Sequence, residues 1–173
     1  MVDRAVAAIR AGEPVILPTD TVYGLCSAPE HAATLAALKR RPEMPIALLC
    51  ADVETLVELV PEIPAGAVRT GPYTLVFPNP ARRFPELGGG ETIGVRVPDL
   101  PEAARTVVAQ VGAVAATSAN FHGDPDPTRL DDIPPEIRRA CAVELDGGVL
   151  PGVPSTVIDV TGPKPRVVRR GAG

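Results

Sequence analysis

The sequence predicts one α/β domain spanning residues 1–173, with a twisted mixed sheet flanked by helices. Three observations carry this. Short apolar runs such as "VIL", "YTLVF" and "TIGVRV" alternate with longer segments of helical period. The 21 prolines and 16 glycines gather in connectors rather than inside those runs. At 173 residues and 45% hydrophobic content, the chain has the apolar mass for one sizeable core and one pocket of small-molecule size, with no internal repeat.

In chain order, Val2 to Ala11 reads as a helix with Asp3 near its start. Val15, Ile16 and Leu17, between prolines, read as a short buried strand. An extended continuation would put Thr19 and Thr21 on one face and Asp20 on the other. His31 to Arg40 is helical with Leu35 and Leu38 on one face, and Pro42 stops it. Ile46 to Cys50 is strand-like, and Asp52 is placed to cap a helix running through Val60. "YTLVF" from Tyr73 and "TIGVRV" from Thr92 are further strands, the second with Thr92, Gly94 and Arg96 on one face. Pro101 to Val111 is helical, "AVAA" from Ala113 a buried strand and "PPEIRRAC" from Pro134 a short helix. "STVIDV" from Ser155 and "RVVRR" from Arg166 close the sheet. The glycine-rich connectors at Gly88-Gly89-Gly90 and "DGGVLPGVP" have neither P-loop nor dinucleotide-fingerprint spacing.

Charge narrows the function classes. A formal net charge of -4 excludes a wholly basic nucleic-acid surface and leaves room for a local basic groove. The cations concentrate in two places, Lys39-Arg40-Arg41 and the group Lys164, Arg166, Arg169 and Arg170, either a solvated face or part of an anion pocket. Cys26, Cys50 and Cys141 form no Cys-x-x-Cys pair, and two histidines make no ligand cluster, so neither a disulfide framework nor a protein-held metal is expected. No apolar run approaches a membrane span, and "MVDRAVAAIR" is charged and helical rather than a secretory signal. The expectation is a soluble cytoplasmic protein with no membrane partner.

Four polar constellations stand at predicted strand or helix ends, where open α/β sheets place their ligands: "PTDTVYG", "KRRP", "TSAN" and "PSTVID". In this order and spacing, from Pro14 to Gly171, they resemble the YrdC-like domain of threonylcarbamoyl-AMP synthases, in the short bacterial form without an extra C-terminal domain. The resemblance implies a YrdC-like fold with a central anion-binding cleft. It implies synthesis of threonylcarbamoyl adenylate from L-threonine, bicarbonate and ATP, with magnesium accompanying the nucleotide and pyrophosphate released. The product would pass to a separate threonylcarbamoyl transferase complex for tRNA modification, and weak contact with tRNA or other RNA is compatible with it.

Carried over by motif, Lys39 and Arg41 match Lys-x-Arg and would be catalytic, Arg41 also meeting ATP. Thr21, Arg96, Ser118 and Ser155 would hold L-threonine, with Arg96 on its carboxylate and Thr19 in support. Thr92, Asn120, Thr128 and Arg169 would join Arg41 on ATP. The chemistry suits these residue types: every reactant is an anion or carries one, so cations, hydroxyls and backbone donors are needed rather than a covalent nucleophile. Two alternatives remain from the sequence: an RNA-binding or ribosome-maturation module without catalysis, and a carbamoyl-adenylate-processing enzyme with another acceptor. Cys26 departs from the family's usual Gly or Ser at that position.

Overall fold

Val15–Pro18 (β1) and Tyr23–Ser27 (β2) show no polar alternation because both of their faces are covered, and every residue in them is buried. In the computed structural model, which describes residues 1–173, they form an antiparallel hairpin with Val15 opposite Cys26 and Pro18 opposite Tyr23. The chain therefore does not run on extended past Pro18; Thr19 to Val22 make the hairpin turn.

The remaining strands are Ala47–Cys50 (β3), Tyr73–Pro78 (β4), Thr92–Arg96 (β5), Ala113–Ser118 (β6), Val143–Glu144 (β7), Thr156–Asp159 (β8) and Arg166–Arg169 (β9). All nine join one sheet in the order β7-β1-β2-β6-β3-β5-β4-β8-β9. Pairing is mixed: β1 with β7, β3 with β5 and β4 with β8 are parallel, and the other neighbours are antiparallel. The helices are Val2–Arg10 (α1), Ala32–Leu38 (α2), Val53–Leu59 (α3), Glu102–Val111 (α4) and Pro135–Ala140 (α5). None is long and apolar enough to cross a membrane.

Strand periodicity divides the core into two. Ile16, Leu25, Leu48, Val95 and Ala115 face Leu35 of α2, Leu56 of α3 and Ile137 of α5. Val15, Leu17, Cys26, Leu49 and Val114 face the other way, against Ile9 of α1 and Val107 of α4. Two residues further along the same strands, that second face shrinks to Gly24, Ala47 and Ala116, which with Gly94 of β5 floor a cleft of about 600 Å³. One end of the sheet face is filled by α1 and α4, and the other holds the cleft.

Two local features aim the site. Asp52 caps α3 as expected, its carboxylate accepting from the Thr55 N–H at 2.7 Å. Helix α2 ends at Leu38, earlier than the sequence suggests, because Arg40 takes a left-handed conformation with φ of +52°. That residue swings outward to Glu136 at 2.7 Å, with its guanidinium 4.3 Å over the Phe121 ring. Its neighbours Lys39 and Arg41 both turn into the cleft.

Candidate active site

The hairpin turn between β1 and β2 is built by Thr19. Its hydroxyl donates to the Val22 carbonyl at 2.7 Å and accepts from the N–H groups of Thr21 and Val22 at 3.1 and 3.3 Å. Thr19 is thus spent on the backbone, and its contact with the Thr21 hydroxyl at 3.0 Å holds Thr21 at the cleft wall. Asp20 stays out of the cleft lining, as alternation suggests, and backs it instead. One carboxylate oxygen accepts from Arg96 Nη2 at 2.7 Å and the other from the Asp99 N–H at 3.1 Å.

On the opposite side, Lys39 is buried and its ammonium is surrounded by acceptors. Nζ donates to the Ser118 carbonyl and Asn120 Oδ1, both at 2.6 Å, and to the Asn120 carbonyl at 2.9 Å, with Ser118 Oγ at 3.3 Å. Burial, with the Arg41 charge behind it, pulls the Lys39 pKa down to about 8, so the group is a cation at neutral pH. Asn120 is locked in turn: its Oδ1 accepts from Ser118 Oγ at 2.7 Å and its amide donates to the Asp124 carbonyl at 2.9 Å. Arg41 donates from Nη1 to the Thr117 hydroxyl at 3.1 Å and from Nη2 to the Pro45 carbonyl at 2.8 Å, while its Nε is buried without a partner.

The third wall comes from β4, β5, β8 and β9. The hydroxyls of Ser155 and Thr74 lie 2.8 Å apart, and Arg169 donates to the Ser155 carbonyl at 2.8 Å and to its hydroxyl at 3.2 Å. Thr92 donates to the Gly89 carbonyl at 3.2 Å. Gly89 has no space for a Cβ, which would collide with the Thr92 carbonyl oxygen. Thr21, Lys39, Arg41, Thr92, Arg96, Ser118, Asn120, Ser155 and Arg169, nine of the residues singled out in the sequence, therefore line one cleft.

Thr128 does not line it. Its hydroxyl donates to Asp132 at 3.0 Å in a local turn, and that acceptor four residues downstream was the signal for a structural role. Thr74 and Thr117 line the cleft without having been singled out. Cys26 faces the α1 and α4 side, and burial pushes its thiol up to about 12, so it is no nucleophile. What the cleft presents is a set of fixed cations and hydroxyls, suited to holding several anionic groups together.

The family model for Sua5/YciO/YrdC proteins, described as telomere recombination, matches residues 7–171. The chain belongs to this family. A Mycobacterium tuberculosis protein provisionally named threonylcarbamoyl-AMP synthase is 35% identical over 96% of this chain and 82% of its own length. The Pyrococcus abyssi threonylcarbamoyl-AMP synthase is 35% identical over 94% of this chain, and the match spans 52% of that relative. The solved P. abyssi Sua5 structure complexed with L-threonine superposes with a TM-score of 0.84, at 32% identity, covering 98% of this chain and 54% of that one. Escherichia coli YciO, at 25% identity and a TM-score of 0.83, covers 99% of this chain and 89% of its own. The expected YrdC-like α/β fold is thus the fold observed.

Proposed function

We propose that this protein synthesises L-threonylcarbamoyl adenylate from L-threonine, bicarbonate and ATP, acting as a nucleotidyltransferase in the first step of threonylcarbamoyladenosine formation. The observation that carries the reading is the convergence of Lys39, Arg41, Arg96 and Arg169 with the hydroxyls of Thr21, Ser118 and Ser155 on one cleft. Its volume of about 600 Å³ suits a nucleotide with a small amino acid. Relatives bearing this activity in their names, and a relative crystallised with L-threonine, support it.

On this reading the threonine amine adds to the carbon of bicarbonate-derived carbon dioxide and loses a proton, giving a carbamate. A carbamate oxygen then attacks the α-phosphorus of ATP, the bond to the bridging β-phosphate oxygen breaks, and pyrophosphate leaves. Arg96 receives the threonine carboxylate, and Thr21, Ser118 and Ser155 face the rest of the amino acid. Arg41, Thr92, Asn120 and Arg169 take the nucleotide, while Lys39 fixes the 118–120 turn and supplies charge behind it. Magnesium arrives on the nucleotide's phosphates. The mixed anhydride is passed to a threonylcarbamoyl transferase complex.

The test incubates purified protein with ATP, magnesium and bicarbonate and follows pyrophosphate with each amino acid in turn. Release is expected to require both bicarbonate and threonine, or at least a small hydroxy amino acid. Equal release with leucine would overturn the assignment.

A further inference from the structure

Arg96 enters the cleft with one part of its guanidinium already committed. Nη2 donates to Asp20 at 2.7 Å, Nε is buried without a partner, and Nη1 makes no hydrogen bond within the protein and is not sealed off as Nε is. Each side chain of the pair is only 12% exposed. Asp20 is itself fixed on two sides: the Thr19-built turn sets its backbone, and the Asp99 N–H holds its second oxygen. Asp20 does not line the cleft and therefore reaches a ligand only through Arg96.

We propose that Asp20 is a positioning and specificity-determining residue: it holds Arg96 with Nη1 toward the cleft and cancels its charge, so that the site selects a zwitterionic α-amino acid over a simple carboxylate anion. This inference rests on the proposed role of Arg96 toward the threonine carboxylate. The pair is neutral before a ligand arrives. A carboxylate that brings its own α-ammonium leaves the largely buried group neutral. One that brings no cation leaves a surplus negative charge where water cannot readily solvate it, and such a charge is costly. An Arg96 without Asp20 would have the opposite preference and would take any anion.

The other charges near the pair do not cancel this effect. Arg169 is the further cation that Arg96 senses; its guanidinium is held by the Ser155 carbonyl and hydroxyl and, being common to wild type and Asp20→Asn, leaves the comparison between them unaffected. Lys39 is enclosed by Ser118 and Asn120, and its charged neighbours are Arg41 and Asp126.

The experiment measures binding calorimetrically, without ATP, for L-threonine and for 2,3-dihydroxybutyrate of matched stereochemistry, in which a hydroxyl replaces the ammonium. Wild type is expected to prefer threonine by at least about tenfold, the scale of one charge-assisted interaction. In Asp20→Asn an acceptor for Nη2 remains and the charge is gone, so the preference should fall at least about tenfold, mainly through tighter binding of the hydroxy acid. In Asp20→Ala the positioning is lost as well, and both ligands should weaken relative to Asp20→Asn. A merely structural Asp20 would lower stability and leave the preference unchanged, and an unchanged preference in folded Asp20→Asn overturns the inference. If that variant does not fold, Asp20→Ala carries the same test: an unchanged preference there overturns the inference, as does equal affinity of wild type for the two ligands. Failure of wild type to bind threonine at all would instead count against the proposed function.

Discussion

Replacing Lys39 by methionine separates charge from bulk, because the new side chain has similar length and no donor. Three acceptors lose their short contacts with Nζ, and two of them keep other partners. The Ser118 carbonyl retains the Asn120 N–H at 3.0 Å, and Asn120 Oδ1 retains Ser118 Oγ at 2.7 Å. Only the Asn120 carbonyl is orphaned, since its one partner is Nζ at 2.9 Å. One buried unsatisfied acceptor costs about 1 to 3 kcal/mol, and relief from burying a cation keeps the total within that range rather than at a sum over contacts. The variant should fold, with urea unfolding showing a loss of this size. Turnover should suffer more than affinity, because negative charge gathers as the carbamate attacks: about a hundredfold in single-turnover rate, with the ATP dissociation constant moving far less. Wild-type turnover in a folded variant would refute a catalytic role. Equal losses in rate and ATP affinity would reduce Lys39 to a tether.

Arg41→Lys keeps the charge, but one ammonium on a flexible stem does not reproduce the fork that joins Thr117 to the Pro45 carbonyl; its rate should stay well below wild type, and full activity would show that charge alone suffices. The lowered pKa of Lys39 also has a stability signature. Folding moves it from 10.5 to about 8, so between those values the unfolded chain binds more protons and the contribution makes stability rise with pH, whereas below about 8 it is flat. In urea titrations at about pH 7 and pH 9.5, wild type should gain on Lys39→Met at the higher pH, and parallel profiles would contradict the assigned burial.

Much of the site was legible because its residues sit on elements with clear periodicity. Thr92, Gly94 and Arg96 share a face of β5, as alternation requires, with Ile93 and Val95 buried behind them. Lys39 and Arg41 share the cleft because Arg40 between them is left-handed, a conformation that no pattern in the sequence marks. Strand β2 escaped notice because "YGLCS" is covered on both faces, so no alternation marks it. Strand β7 is only Val143–Glu144 and exists by pairing with β1. Thr74 and Thr117 acquire their places through partners distant in sequence: Thr74 pairs with Val157 across β4 and β8, and Thr117 meets the Arg41 fork. Asp20 lies outside the cleft lining as alternation suggests, but its pairing with Arg96, 76 residues away, has no local signal.

The strand order dictates when during synthesis the cleft comes into being. Strand β1, made among the first residues, shares an edge with Val143–Glu144, and β4 waits for Thr156–Asp159 before its outer edge is paired. Ser155 and Arg169, which complete the third wall, are the last of its segments to leave the ribosome. Until they do, an emerging chain carries the apolar strands of the sheet interior with a β4 edge open to other chains, a state prone to misassembly. Non-local pairing of this kind is slow. Partly made chains should therefore depend on chaperones and bind no ligand, and slowing translation after β6 should lengthen that exposure without bringing the cleft any nearer to completion.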